Sequence, residues 1–143
     1  MTHQSFIART EEDTIELGRR LAASWPRPCV VLLIGDLGAG KTTMTKGIAE
    51  GLGVARADDV SSPTFPLIHE YGEAGEMYHI DLYRLDTPRE VESLGLDEIF
   101  ARDAVVVLEW AERFPTLLPA ARIEIRITAD ADELRRVSVT ELP

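Results

Sequence analysis

Lysine is nearly missing from this chain. It holds two, Lys41 and Lys46, and every other fixed cation is an arginine. A guanine-reading Asn-Lys-x-Asp motif needs a lysine well along the chain, so a Ras-type GTPase using that motif is excluded and ATP is the better expectation. Cysteine is scarcer still. With Cys29 alone no intrachain disulfide can form, and a thiol inside an apolar run reads as packing. His3, His69 and His79 are scattered without metal-ligand spacing, which speaks against a zinc site. No apolar run approaches the ~20 residues of a membrane span. Met1 to Ser5 lack the charged-then-apolar opening of a signal peptide. The expectation is a cytoplasmic chain with no membrane partner. Positive charge is short as well: 15 Lys and Arg against 25 Asp and Glu leave a net charge of −10. That opposes gripping nucleic acid through a basic face.

What remains is ordinary globular material. The 143 residues are 45% hydrophobic and 28% charged, which fits one domain with a real core. One stretch organises the rest. Gly35-Asp36-Leu37-Gly38-Ala39-Gly40-Lys41-Thr42 fits the phosphate-loop pattern, Gly, four residues, Gly-Lys-Ser/Thr. The apolar run from Cys29 to Ile34 precedes it and reads as a buried parallel strand. A helical pattern with Met44, Ile48 and Leu52 on one face follows, with Gly53 as its stop. Glycines at 38 and 40 let main-chain N–H groups approach an anion with no Cβ in the way. The helix start adds unpaired N–H groups and partial positive charge. Lys41 can reach β- and γ-phosphates, and the Thr42 hydroxyl can ligate Mg²⁺.

The flanking segments suit an α/β chain. Ser5 to Ala8 reads as a short edge strand. Thr10-Glu11-Glu12-Asp13 reads as a capping box opening a helix to about Trp25. Pro66 to Tyr71 and Met77 to Arg84 form a hairpin, with His79, Asp81 and Tyr83 on one face of the second strand. Thr87-Pro88 opens a further helix. Ala104 to Leu108 is the second clearly buried strand, and it ends in Glu109-Trp110. An apolar strand ending in an acid is the Walker B pattern, so Glu109 can hold the cation through water or orient an attacking water. Trp110 can cover the site or pack on the sheet. Arg122 to Thr128 and Arg136 to Val139 form a last hairpin. The expected fold is a three-layer α/β fold of the P-loop NTPase type, with a largely parallel central sheet plus antiparallel hairpin strands, spanning 1–143 as a single domain.

Four separated stretches, 35–43, Ser62-Pro63-Thr64-Phe65, His79-Ile80-Asp81-Leu82-Tyr83-Arg84 and Leu108-Glu109-Trp110, together resemble the TsaE (YjeE) family. The resemblance implies an ATP- and Mg²⁺-dependent ATPase that works with the TsaD and TsaB proteins in making threonylcarbamoyladenosine on tRNA. It also implies contact with tRNA only through that complex, and hydrolysis that is weak alone and coupled to the partner. Carried onto this chain, it implies phosphate contacts from Gly38, Ala39, Gly40, Lys41, Thr42 and Thr43, and cation ligation by Thr42 and Glu109. Lys41, Asp81 and Glu109 would serve catalysis, with Trp110 beside them. Ser62 to Phe65 would be a nucleotide-sensing switch. A nucleotide contact near Thr10 is implied too, and one near the last hairpin, where neither Arg135 nor Arg136 is singled out. Two other readings stand beside this one: a small-molecule or nucleoside kinase with Asp81 as base and Arg84 and Arg89 as phosphate clamps, and a nucleotide-gated binding module without significant hydrolysis.

Overall fold

The structure is a computed structural model, and residues 2–61, 67–130 and 134–143 are described. Ser62 to Phe65, the expected switch, therefore lies outside the described residues.

Seven strands form one sheet: β1 (Thr2–Ala8), β2 (Cys29–Ile34), β3 (Ile68–Tyr71), β4 (Met77–Asp81), β5 (Val105–Glu109), β6 (Arg122–Ala129) and β7 (Arg135–Leu142). Their order is β1-β7-β6-β2-β5-β4-β3. The middle strands β6, β2, β5 and β4 run parallel to one another. β3, β7 and β1 join antiparallel at the two flanks. The composition of the strands explains this split. β2 and β5 are almost wholly apolar and buried on both faces, as central parallel strands must be. β6 alternates, burying Ile123, Ile125 and Ile127 and turning Arg126 and Thr128 outward.

Helices cover both faces. On one, α1 (Glu11–Ala22) and α2 (Lys41–Gly51) pack over Val31, Leu33, Val105, Val107 and the isoleucines of β6. On the other, the short helices α3 (Pro88–Glu92) and α4 (Leu96–Phe100) cover Val30, Leu32, Ile80, Val106 and Leu108. This is the expected three-layer α/β arrangement. α1 is shorter than the sequence pattern suggests: it stops at Ala22, and Pro26 and Pro28 lie beyond. Thr10 caps it by accepting from the Asp13 N–H at 3.1 Å, while Asp13 takes the N–H of Arg9 rather than that of Thr10. The α1–α2 crossing is close because Gly47 has no side chain. A Cβ there would stand 2.1 Å from the Ile15 carbonyl oxygen. That approach carries the capped start of α1 alongside the start of α2. Among the described residues no helix is long and apolar enough to cross a membrane.

Candidate active site

The loop joining β2 to α2 turns through Gly38 (φ 79°) and Gly40 (φ 113°). Both are left-handed conformations that a Cβ would strain. A Cβ at Gly38 would meet nothing within 4 Å, so the loop opens onto free space there. Gly40 caps α2 with no side chain of its own, leaving the helix's first N–H groups to be satisfied from outside. The cleft above holds about 540 Å³, within the usual range for small-molecule sites. Gly38, Gly40, Lys41, Thr42 and Thr43 line one wall, and Asp81, Glu109 and Trp110 line the other. A neighbouring hollow of about 320 Å³ shares Gly38, Gly40 and Thr43 and reaches Thr10 and Arg135. Ala39 stands apart from both: its side chain is in the core and its N–H donates to the Asp36 carbonyl at 3.0 Å.

Lys41 is buried in the first turn of α2. Its Nζ donates to the Gly35 carbonyl at 2.7 Å and sits 3.5 Å from the centroid of the Trp110 ring. Burial pushes its pKa down, and the carboxylates of Glu109, Glu112, Asp81 and Asp36 oppose that shift. The ammonium is thus parked on its own loop and an aromatic face, poised over the place where phosphate charge would enter.

Asp81 and Glu109 are level partners at the ends of β4 and β5. Strand alternation turns both toward the α1–α2 face, along with His79. Glu109 is almost fully buried, and its Oε2 lies 2.5 Å from His79 Nε2. Asp81 accepts from the Tyr83 N–H at 2.9 Å, and this ends the strand. The hairpin strand is therefore three residues shorter than its sequence pattern. Tyr83 falls beyond it, half exposed in the turn, though still lining the cleft.

Trp110 adopts a left-handed backbone (φ 66°), the one non-glycine residue to do so among those described. That kink turns its ring back over Lys41 and against Tyr83, with 5.0 Å between ring centroids. Arg113 then ties the two cleft-side turns together. Its guanidinium donates to the carbonyls of Leu82 at 2.5 Å, Leu85 at 2.9 Å and Tyr83 at 3.3 Å. Sequence reading passes over Arg113, because nothing local marks it. Arg135 reaches the Gly38 carbonyl at 3.4 Å, whereas Arg136 lies on the outward side, 3.8 Å from Asp130.

A hard cation suits this wall. Carboxylate and hydroxyl oxygens from Glu109, Asp81 and Thr42 are the donors Mg²⁺ prefers. Among the described residues no cluster of three or more His, Cys, Asp or Glu is placed to hold a metal by itself. Phosphate oxygens would have to complete the shell.

Comparison with known proteins shows the family. The model of the family described as "Threonylcarbamoyl adenosine biosynthesis protein TsaE" matches residues 8–137. The chain belongs to the TsaE family. The TsaE of Bacillus subtilis is 46% identical over 123 residues, covering 85% of this chain and 75% of its own. That of Streptomyces coelicolor is 44% identical over 135 residues, 89% of each chain. Both are named as tRNA threonylcarbamoyladenosine biosynthesis proteins. The crystal structure of Bacillus subtilis YdiB superposes with a TM-score of 0.82 at 35% identity, covering 99% of this chain and 87% of that one.

Proposed function

We propose that this chain binds ATP with Mg²⁺ in the cleft and hydrolyses it as an accessory step of tRNA threonylcarbamoyladenosine formation, driving turnover of a TsaD–TsaB assembly. One observation supports this above the others: the glycine loop with Lys41 and Thr42 faces two carboxylates, Asp81 and Glu109, across a single cleft. The loop amides and α2's N-terminus take up phosphate oxygens. Lys41 leaves the Trp110 face to meet the β- and γ-oxygens. Thr42 and Glu109 would hold the cation, which would supply positive charge against what develops on the transferred phosphoryl group. Asp81 or Glu109 orients the attacking water. Thr10 and Arg135 border the adjoining hollow and contact the rest of the nucleotide. The acidic net charge fits a protein that docks on protein and meets tRNA indirectly.

Rates of ATP hydrolysis with and without TsaD–TsaB test the reading, together with tRNA modification followed over many turnovers. Slow hydrolysis alone, acceleration by the partners, and modification that stalls after one cycle without this chain are expected. Equal rates with and without the partners would remove the coupling, and transfer of the γ-phosphoryl to a metabolite would make the chain a kinase.

A further inference from the structure

Glu109 has a partner that the reading above leaves without a role. His79 sits mid-strand in β4, fully buried. An imidazole so placed among Met77, Tyr78 and Ile80 is costly to desolvate, and an apolar residue would suit the strand better. Its Nδ1 has no hydrogen-bond partner among the described residues. The ring makes one hydrogen bond in the core, at 2.5 Å to Glu109 Oε2, and both side chains are shut away from water. A carboxylate only accepts, so Nε2 is the donor. The sheet register explains the reach. His79 is level with Val107, and Asp81 with Glu109, so the imidazole leans one step along the neighbouring strand on the same face.

We propose that His79 is a positioning residue for Glu109. It holds Oε2 from inside the sheet, fixes the side chain's rotamer, and thereby presents Oε1 to the cleft for the cation or its water. This rests on the reading of Glu109 given under Proposed function. Its physical basis is general: ligating carboxylates and imidazoles are aimed by the hydrogen bonds behind them.

Calorimetry of ATP binding, in EDTA and in Mg²⁺, tests the proposal on four variants: His79→Leu, His79→Gln, Glu109→Gln and the double variant His79→Leu/Glu109→Gln. Thermal midpoints without nucleotide are measured alongside. His79→Leu is expected to cut the Mg²⁺-dependent gain in ATP affinity by about 10- to 100-fold and to leave affinity in EDTA within about twofold. His79→Gln retains most of the gain, because its amide nitrogen can donate from nearly the same place. The double variant matches Glu109→Gln alone in Mg²⁺-dependent gain, and the two sites are coupled in thermal midpoint. If His79→Leu does not fold, His79→Asn, whose amide is too short to reach, takes its place. A His79→Leu protein with a full Mg²⁺ gain, beside a Glu109→Gln protein that loses it, would overturn the positioning role alone. So would equal losses in His79→Leu and His79→Gln. An undiminished gain in Glu109→Gln would overturn the reading of Glu109 and this inference with it.

Discussion

Asp81 and Glu109 end neighbouring parallel strands at the same level, yet they are held in opposite ways. Glu109 is gripped from within by a fully buried imidazole. Asp81 is gripped from outside by the backbone of its own turn, through the Tyr83 N–H. The first carboxylate is thereby tied to the sheet. The second is tied to a turn that Arg113 straps down and that carries Tyr83 and Arg84 to the cleft. The contrast is one of attachment: Glu109 is bonded to a neighbouring strand inside the sheet, and Asp81 to the turn at the cleft's rim.

The largest expected effect breaks the comparison altogether. Lys41→Ala removes the cation that faces both acids, and it should weaken ATP binding at least about 100-fold, read by calorimetry. Next, Glu109→Gln should lower hydrolysis by about 10²- to 10⁴-fold, against a smaller loss of about tenfold for Asp81→Asn. Asn keeps an acceptor for the Tyr83 N–H, so Asp81→Asn tests charge alone, and Asp81→Ala adds loss of the turn. Equal losses at the two positions would erase the distinction drawn between them. Arg113→Ala sharpens it from the other side. It frees the carbonyls of Leu82, Tyr83, Leu85 and Trp110, costs about 1–2 kcal/mol in unfolding free energy, and speeds amide exchange in residues 82–85 but not in β5.

The smallest effect lies away from the cleft. Burial, with a lesser contribution from Glu141, pushes the Cys29 thiol from the ordinary 9.0 up to about 11. The fold favours the neutral thiol, so this group's contribution to stability is full below pH about 9 and is lost as pH rises toward about 11. In urea titrations across that range, Cys29→Ala should lack this part of the decline. At neutral pH the native thiol should react slowly with iodoacetamide.

Much of the fold was legible before any coordinates. Apolar runs of strand length marked β2 and β5, strict alternation marked β6, and the glycine loop fixed what lies between β2 and α2. The cleft was half legible. Lys41, Thr42, Asp81 and Glu109 carry signals in their own neighbourhoods: a loop pattern, or an acid at the end of a strand. Arg113 carries none; alternation puts His79 on the face of Asp81 but does not name Glu109 as its partner, and nothing local separates Arg135 from Arg136. The His79–Glu109 bond spans 30 residues and exists because β4 lies next to β5 in one register. The carbonyls of Leu82, Tyr83 and Leu85 that Arg113 binds lie 28 to 31 residues away. Arg135, rather than Arg136, faces the loop because of the β6–β7 pairing, in which one step of register would exchange the two. Tyr83 departs from the alternating pattern for a related reason. Alternation presumes the strand continues, and Asp81 ends it by capping its own turn.

The central claim is that the glycine loop and the two strand-end acids form one ATP–Mg²⁺ cleft. Titrating ATP into the folded chain in a calorimeter, with and without Mg²⁺, tests it most directly. The account predicts saturable heat with one site per chain, tighter binding with Mg²⁺, and affinity at least about 100-fold weaker in Lys41→Ala. A wild-type titration with no heat of binding, or the same affinity in Lys41→Ala, would contradict it.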